Sequence, residues 1–141
     1  MSNKQPKPGK MADRAPLRIL HVDDEPDIRE VAKLAFEQVG GFTVESCESG
    51  VQAIEKAPLF NADMILLDVM MPGMSGPETL KALRDLPETA GTPIVFMTAK
   101  VQASEIRALR ELGATGVIEK PFDPMTVSEC IKQIWEEHAE Q

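Results

Sequence analysis

The 141-residue chain has no tyrosine, a single tryptophan and only two cysteines. Cys47 and Cys130 are too few for a disulfide scaffold and fit no metal-ligand spacing, so they read as reduced, packed thiols of a cytoplasmic protein. Long apolar runs are also missing. The longest span four or five residues, and Asp68 interrupts the strongest; this excludes a membrane span, and the N-terminus lacks the apolar centre of a signal peptide. Basic residues are scarce, with 15 Lys and Arg against 23 Asp and Glu and a net charge of −8. Residues 1–16 hold four of the basic residues and one acid, so the remainder carries 11 basic against 22 acidic residues. Such a body repels phosphate backbones and is a poor direct ligand for nucleic acid. It suits a divalent cation or a basic partner patch. A glycine-rich phosphate loop is absent too. The first apolar run is followed by Asp-Asp-Glu-Pro, and no GxxxxGK element occurs, which argues against a nucleotide or flavin cradle.

What is present fits one domain with one core. Residues 1–16, with three prolines and no apolar period, read as a flexible basic extension, and residues 17–141 as the folded domain. Leu17–Val22 is a buried strand ending in Asp23-Asp24. Pro26 suits the first turn of a helix, in which Ile28, Val31, Ala32, Ala35, Phe36 and Val39 follow at helical spacing until Gly40-Gly41. Thr43–Cys47 is a second strand. Ser49 caps a helix running through Ala57, with Val51, Ile54 and Leu59 inward. Met64–Leu67 is a third strand, followed by the loop chemistry of Met71-Pro-Gly-Met-Ser-Gly-Pro77 and a helix with Leu80 and Leu83 inward. Ile94–Met97 is a fourth strand, ending at Thr98. A helix with Ile106, Leu109 and Leu112 closes at Gly113, and Gly116–Ile118 is a short fifth strand. The last helix starts near Asp123-Pro124 and turns Val127, Cys130, Ile131, Ile134 and Trp135 inward. Five apolar strands alternating with five amphipathic helices predict an α/β fold, a doubly wound parallel sheet covered on both faces.

In such a sheet, ligands bind beyond the carboxyl ends of the strands. Asp23 and Asp24 follow strand one, Asp68 strand three, Thr98 strand four and Lys120 strand five. Singly, each has an ordinary explanation: a helix cap, a turn, a solvated charge. Together they form a constellation. Three crowded carboxylates call for a cation, and hard oxygen donors favour Mg²⁺. Asp68 is then a nucleophile able to accept a phosphoryl group as an acyl phosphate. Lys120 stabilises the transferring charge, and the Thr98 hydroxyl can donate to a new phosphoryl oxygen.

The segments HVDDEPDIRE, MILLDVMMPGMSGPE, PIVFMTAK and GVIEKPFDP resemble the receiver domain of two-component response regulators, over about residues 17–138. The resemblance implies a flavodoxin-like (βα)5 fold with strand order 2-1-3-4-5. It implies Asp68 as phosphoacceptor, Asp23 and Asp24 as the acidic pair that organises Mg²⁺, and Met70 as a metal ligand through its backbone carbonyl. Thr98 matches the switch hydroxyl, Lys120 the phosphate contact, and Lys120–Pro121 a bond usually cis. One position departs: where the family often carries Tyr or Phe, this chain has Val117, which is small and stiff. Val117 cannot make the large rotamer change of that aromatic, so the usual aromatic coupling to the switch hydroxyl is not expected here.

The resemblance further implies a histidine kinase or phosphotransfer protein as phosphoryl donor and a protein as output partner. No nucleic acid or membrane contact is implied. With no effector region in the sequence, the chain reads as a stand-alone regulator and not itself an enzyme of other substrates. The alternatives are a receiver segment of a hybrid kinase and a receiver-like interaction module that is never phosphorylated. The fourth and fifth helices, through Ala108 and Leu112, are the expected partner or homodimer surface.

Overall fold

The computed structural model describes residues 17–140; the basic extension of residues 1–16 lies outside the described residues. Five strands form one parallel sheet: β1 (Arg18–Val22), β2 (Thr43–Cys47), β3 (Met64–Asp68), β4 (Ile94–Thr98) and β5 (Gly116–Glu119), in the order β2-β1-β3-β4-β5. Helices α1 (Pro26–Leu34), α2 (Gly50–Phe60), α3 (Gly76–Arg84), α4 (Ala103–Glu111) and α5 (Val127–Ala139) connect them and continue beyond β5. Alternate strand residues feed two cores. Ile19, Leu66, Val95 and Met97 pack against Phe36, Ile131 and Trp135 of the α1 and α5 layer. Leu20, Val22, Ile65, Leu67 and Phe96 pack against Ala53, Leu80 and Leu83 of the α2 and α3 layer. Burial on both faces explains why β3 and β4 read as unbroken apolar runs, whereas the edge strand β2 carries half-buried Glu45 and Ser46.

Several local readings are corrected. The segment Ala35–Val39 that ends α1 is π-helical, with the Gly40 N–H donating to the Ala35 carbonyl at 3.1 Å. The wider turn rotates Val39 outward, and Val31 lies at the stripe's edge; both are exposed. In α2 the inner face is made by Ala53 and Ala57, with Ile54 half-buried, while Val51 and Leu59 face solvent. Small residues suffice because α2 approaches α3 closely: a Cβ on Gly50 would lie 2.2 Å from Thr79 Oγ1. This helix also runs past Ala57, through Pro58, to a left-handed Asn61. Helix α5 starts at Val127, because Asp123 first closes a turn, its carbonyl accepting from the Thr126 and Val127 N–H groups. Cys130 is exposed on α5, whereas Cys47 is buried.

Gly76 fixes the start of α3 against the end of β3. Its N–H donates to the Val69 carbonyl at 2.9 Å, and a Cβ there would lie 2.3 Å from the Asp68 carbonyl oxygen and 2.8 Å from Val69 Cα. Backbone cannot yield as a side chain does. Gly76→Ala is expected to cost about 1–3 kcal/mol, as overpacking does, read as a lower urea midpoint; an unchanged midpoint would show that α3 is free to shift.

Candidate functional site

The strand order puts β3 at the centre with β1 and β4 beside it, so their carboxyl ends meet. Asp68 is the last residue of β3, paired with Met97; Thr98 ends β4; Asp23 follows the last residue of β1. The Lys120 N–H donates to the Thr98 carbonyl at 2.8 Å, which anchors the β5 exit to β4, and the Lys120–Pro121 peptide is cis. All five residues singled out at the strand exits are thereby brought to one end of the sheet.

Their side chains form a charged cluster. Carboxylate oxygens of Asp23, Asp24 and Asp68 lie within 4.8 Å of one another. Lys120 Nζ reaches across to Asp23 Oδ2 at 3.0 Å, Asp68 Oδ1 at 3.3 Å and Glu25 Oε1 at 3.8 Å. Asp23 is wholly buried and Asp68 nearly so, while Asp24 is half-buried. An open cleft of about 290 Å³ borders Asp24, Glu25, Asp68, Met70, Thr98 and Lys120. Met70 is exposed beside it. The Thr98 hydroxyl accepts from the Lys100 N–H at 3.0 Å. Val117 is half-buried on β5 beside Phe96.

Electrostatics follow from this crowding. Burial, then the negative field of Asp23, pushes the Asp68 carboxyl up to about 6; Lys120 offsets only part of that. Burial also works against the Lys120 charge, but its hydrogen bond to Asp23 and the fields of Asp23 and Asp68 outweigh it, holding the ammonium above its usual range. One lysine therefore underneutralises three carboxylates. The donor set, three hard carboxylates on an open cleft, fits a divalent cation of the Mg²⁺ type.

Two neighbours escaped the sequence reading. Glu25 sits in Lys120's reach, and Arg29 Nη1 donates to the Asp23 carbonyl at 2.7 Å. An acid next to the Asp pair and a cation one helical turn into α1 were the available signals. His21, by contrast, is fully buried, edge-on to Phe36 at 5.6 Å, with neither ring nitrogen hydrogen-bonded; burial pushes it down to about 4, so it is neutral.

Because Asp68 binds its proton more tightly when folded than when unfolded, the folded state holds the extra proton between about pH 4 and 6 and metal-free stability falls as pH rises through that window. Asp68→Asn removes this penalty. At pH 7.5 without metal it is expected to raise stability by about 1–3 kcal/mol, with the gain disappearing below pH 4, as read by thermal unfolding. A gain independent of pH would contradict the raised carboxyl.

The response regulator receiver domain family model matches residues 19–132. The chain is 37% identical over 118 residues to the transcriptional regulatory protein ResD of Bacillus subtilis, covering 83% of this chain and 47% of that protein. It is 36% identical over 123 residues to the nitrate/nitrite response regulator protein NarP of Escherichia coli, covering 86% and 56%. The chain thus spans about half the length of these curated relatives. The solved structure of chemotaxis protein CheY4 of Vibrio cholerae superposes with a TM-score of 0.79 at 32% identity, covering 85% of this chain and 99% of that one. The sheet order, the matched residues and these relatives agree: the chain belongs to the response regulator receiver domain family.

Proposed function

We propose that the domain at residues 17–141 is a phosphorylation switch in which Asp68 accepts a phosphoryl group from a histidine kinase or phosphotransfer protein. The observation that carries this reading is Lys120 Nζ standing 3.3 Å from Asp68 Oδ1 and 3.0 Å from Asp23 Oδ2 at the mouth of the cleft. Asp23, Asp24, Asp68 and the Met70 backbone carbonyl would hold Mg²⁺. When bound, the ion offsets the carboxylate charge and draws charge from the phosphoryl oxygens.

An Asp68 oxygen attacks the donor phosphorus while the donor's P–N bond breaks. The electron pair leaves with the donor imidazole, and an acyl phosphate forms on Asp68. Lys120 pairs with the phosphoryl oxygens as charge develops. The Thr98 hydroxyl turns to donate to one of them, giving up its bond from the Lys100 N–H. Since Val117 offers no ring to move with it, the change passes along the loop from Lys100 into α4. That helix contributes no fully buried residue and is therefore free to shift.

The output is binding of a protein partner, and exposed Ala108 and Leu112 near α4 support that surface, which would also serve a homodimer. The domain catalyses only its own phosphorylation and dephosphorylation, in the cytoplasm where its donor acts. Among the described residues no helix is long and apolar enough to cross a membrane. The domain is read first as a stand-alone regulator. Half-length coverage of the curated relatives favours a second reading, a receiver within a longer regulator or hybrid kinase.

With Mg²⁺ and a small acyl phosphate, the chain is expected to gain one acid-stable, base-labile phosphate. Asp68→Asn should gain none. Thr98→Ala should still be labelled yet lose the phosphorylation-dependent change in amide exchange across residues 99–111. Undiminished labelling of Asp68→Asn would refute the phosphoacceptor, and an unaltered α4 response in Thr98→Ala would refute the relay.

A further inference from the structure

Arg29 is a cation beside a site short of cations, yet no step described above uses it. It ends the first turn of α1, where its N–H donates to the Glu25 carbonyl at 3.0 Å. Helical side chains lean toward the helix N-terminus. The guanidinium therefore reaches back past Glu25, and Nη1 donates to the Asp23 carbonyl at 2.7 Å. Nη2 lies 3.9 Å from Glu48 Oε1, on the loop between β2 and α2.

Asp23 is wholly buried just past the last paired residue of β1. Its N–H donates to the Cys47 carbonyl at 3.0 Å. Its Oδ1 accepts from the Glu25 N–H at 2.9 Å, and its Oδ2 from Lys120 Nζ at 3.0 Å. The carbonyl, held by Arg29, belongs to the peptide that leads into Asp24. The direction of that carbonyl fixes the peptide plane, and the plane fixes where Asp24 presents its carboxylate relative to Asp68.

We propose that Arg29 is a positioning residue: by holding the Asp23 carbonyl it sets the Asp23–Asp24 peptide in the orientation that brings Asp24 alongside Asp68 to receive the divalent cation. This rests on the metal-dependent reading above and adds to it a residue that touches neither metal nor phosphoryl group. Its charge argues the other way. A cation near three carboxylates repels Mg²⁺, so charge alone makes Arg29→Met bind the ion more tightly, whereas loss of positioning makes it bind more weakly. The direction of the change separates the two.

The test is Mg²⁺ affinity of the full chain by titration calorimetry, with metal-free amide spectra of Asp24. Arg29→Met is expected to weaken Mg²⁺ binding about tenfold, as loss of an outer partner of a metal ligand does. It should shift the Asp24 amide resonance before any metal is added. Labelling by acyl phosphate should recover at saturating Mg²⁺, an effect on the metal requirement and not on the maximal rate. Arg29→Lys keeps the charge with a single point donor and should fall between the two, about threefold weaker than the unaltered chain. Equal or tighter binding in Arg29→Met overturns the proposal. If Arg29→Met does not fold, Arg29→Lys decides: weakening of about threefold supports it, and unaltered affinity overturns it. An unaltered chain that binds no Mg²⁺ overturns this proposal and the metal-dependent reading together, whereas binding that is indifferent to Arg29 overturns this proposal alone.

Discussion

The structure depends on one lysine being shared among carboxylates that repel each other. Asp23 and Asp68 sit on adjacent strand ends, nearly out of water, and Lys120 from the far side of the sheet is the cation that meets both. Buried like charges are costly unless paired. One ammonium is not enough: burial first, and then the field of Asp23, hold the Asp68 carboxyl up despite Lys120. In the proposed function, that incomplete balance keeps the site receptive: a divalent cation would complete it, and a phosphoryl group could then approach without facing bare anions.

The fold delivers this arrangement by topology rather than by local sequence. Asp23 and Lys120 are 97 residues apart, yet the parallel order puts their strand ends at one edge of the sheet. The supports are mostly backbone contacts. Gly76 brings α3 onto the Asp68 carbonyl, and the Lys120 N–H binds the Thr98 carbonyl. On the other side, Asp23 is tied to β2 through Cys47 and to α1 through Arg29. These ties converge on Asp23. On the side that faces Thr98, α4 contributes no buried residue, so the proposed switch there would move without dismantling the acidic cluster.

Much of this was legible in the sequence because β3 and β4 are continuous apolar runs that stop at a polar residue. Asp68 after Met64–Leu67 and Thr98 after Ile94–Met97 mark strand ends whose geometry a parallel sheet fixes. Side-chain reach was not legible. That Arg29 bends back to Asp23, or that Glu25 approaches Lys120, depends on the angle at which α1 leaves β1. Periodicity also overstated burial. Val39 faces solvent because the end of α1 winds into a π-turn, and Val51 and Leu59 do so because close packing of α2 on α3 favours small residues inside. Asp123 began a turn before α5 rather than the helix itself, since cap-like residues serve both.

The central claim is that Asp68 is an underneutralised carboxylate awaiting a second cation. Carbon-13 NMR titration of its carboxyl group, with and without Mg²⁺, tests this most directly. A metal-free midpoint near 6 that falls by about two units or more at saturating Mg²⁺ is the predicted result. A midpoint that Mg²⁺ leaves in place would contradict the account.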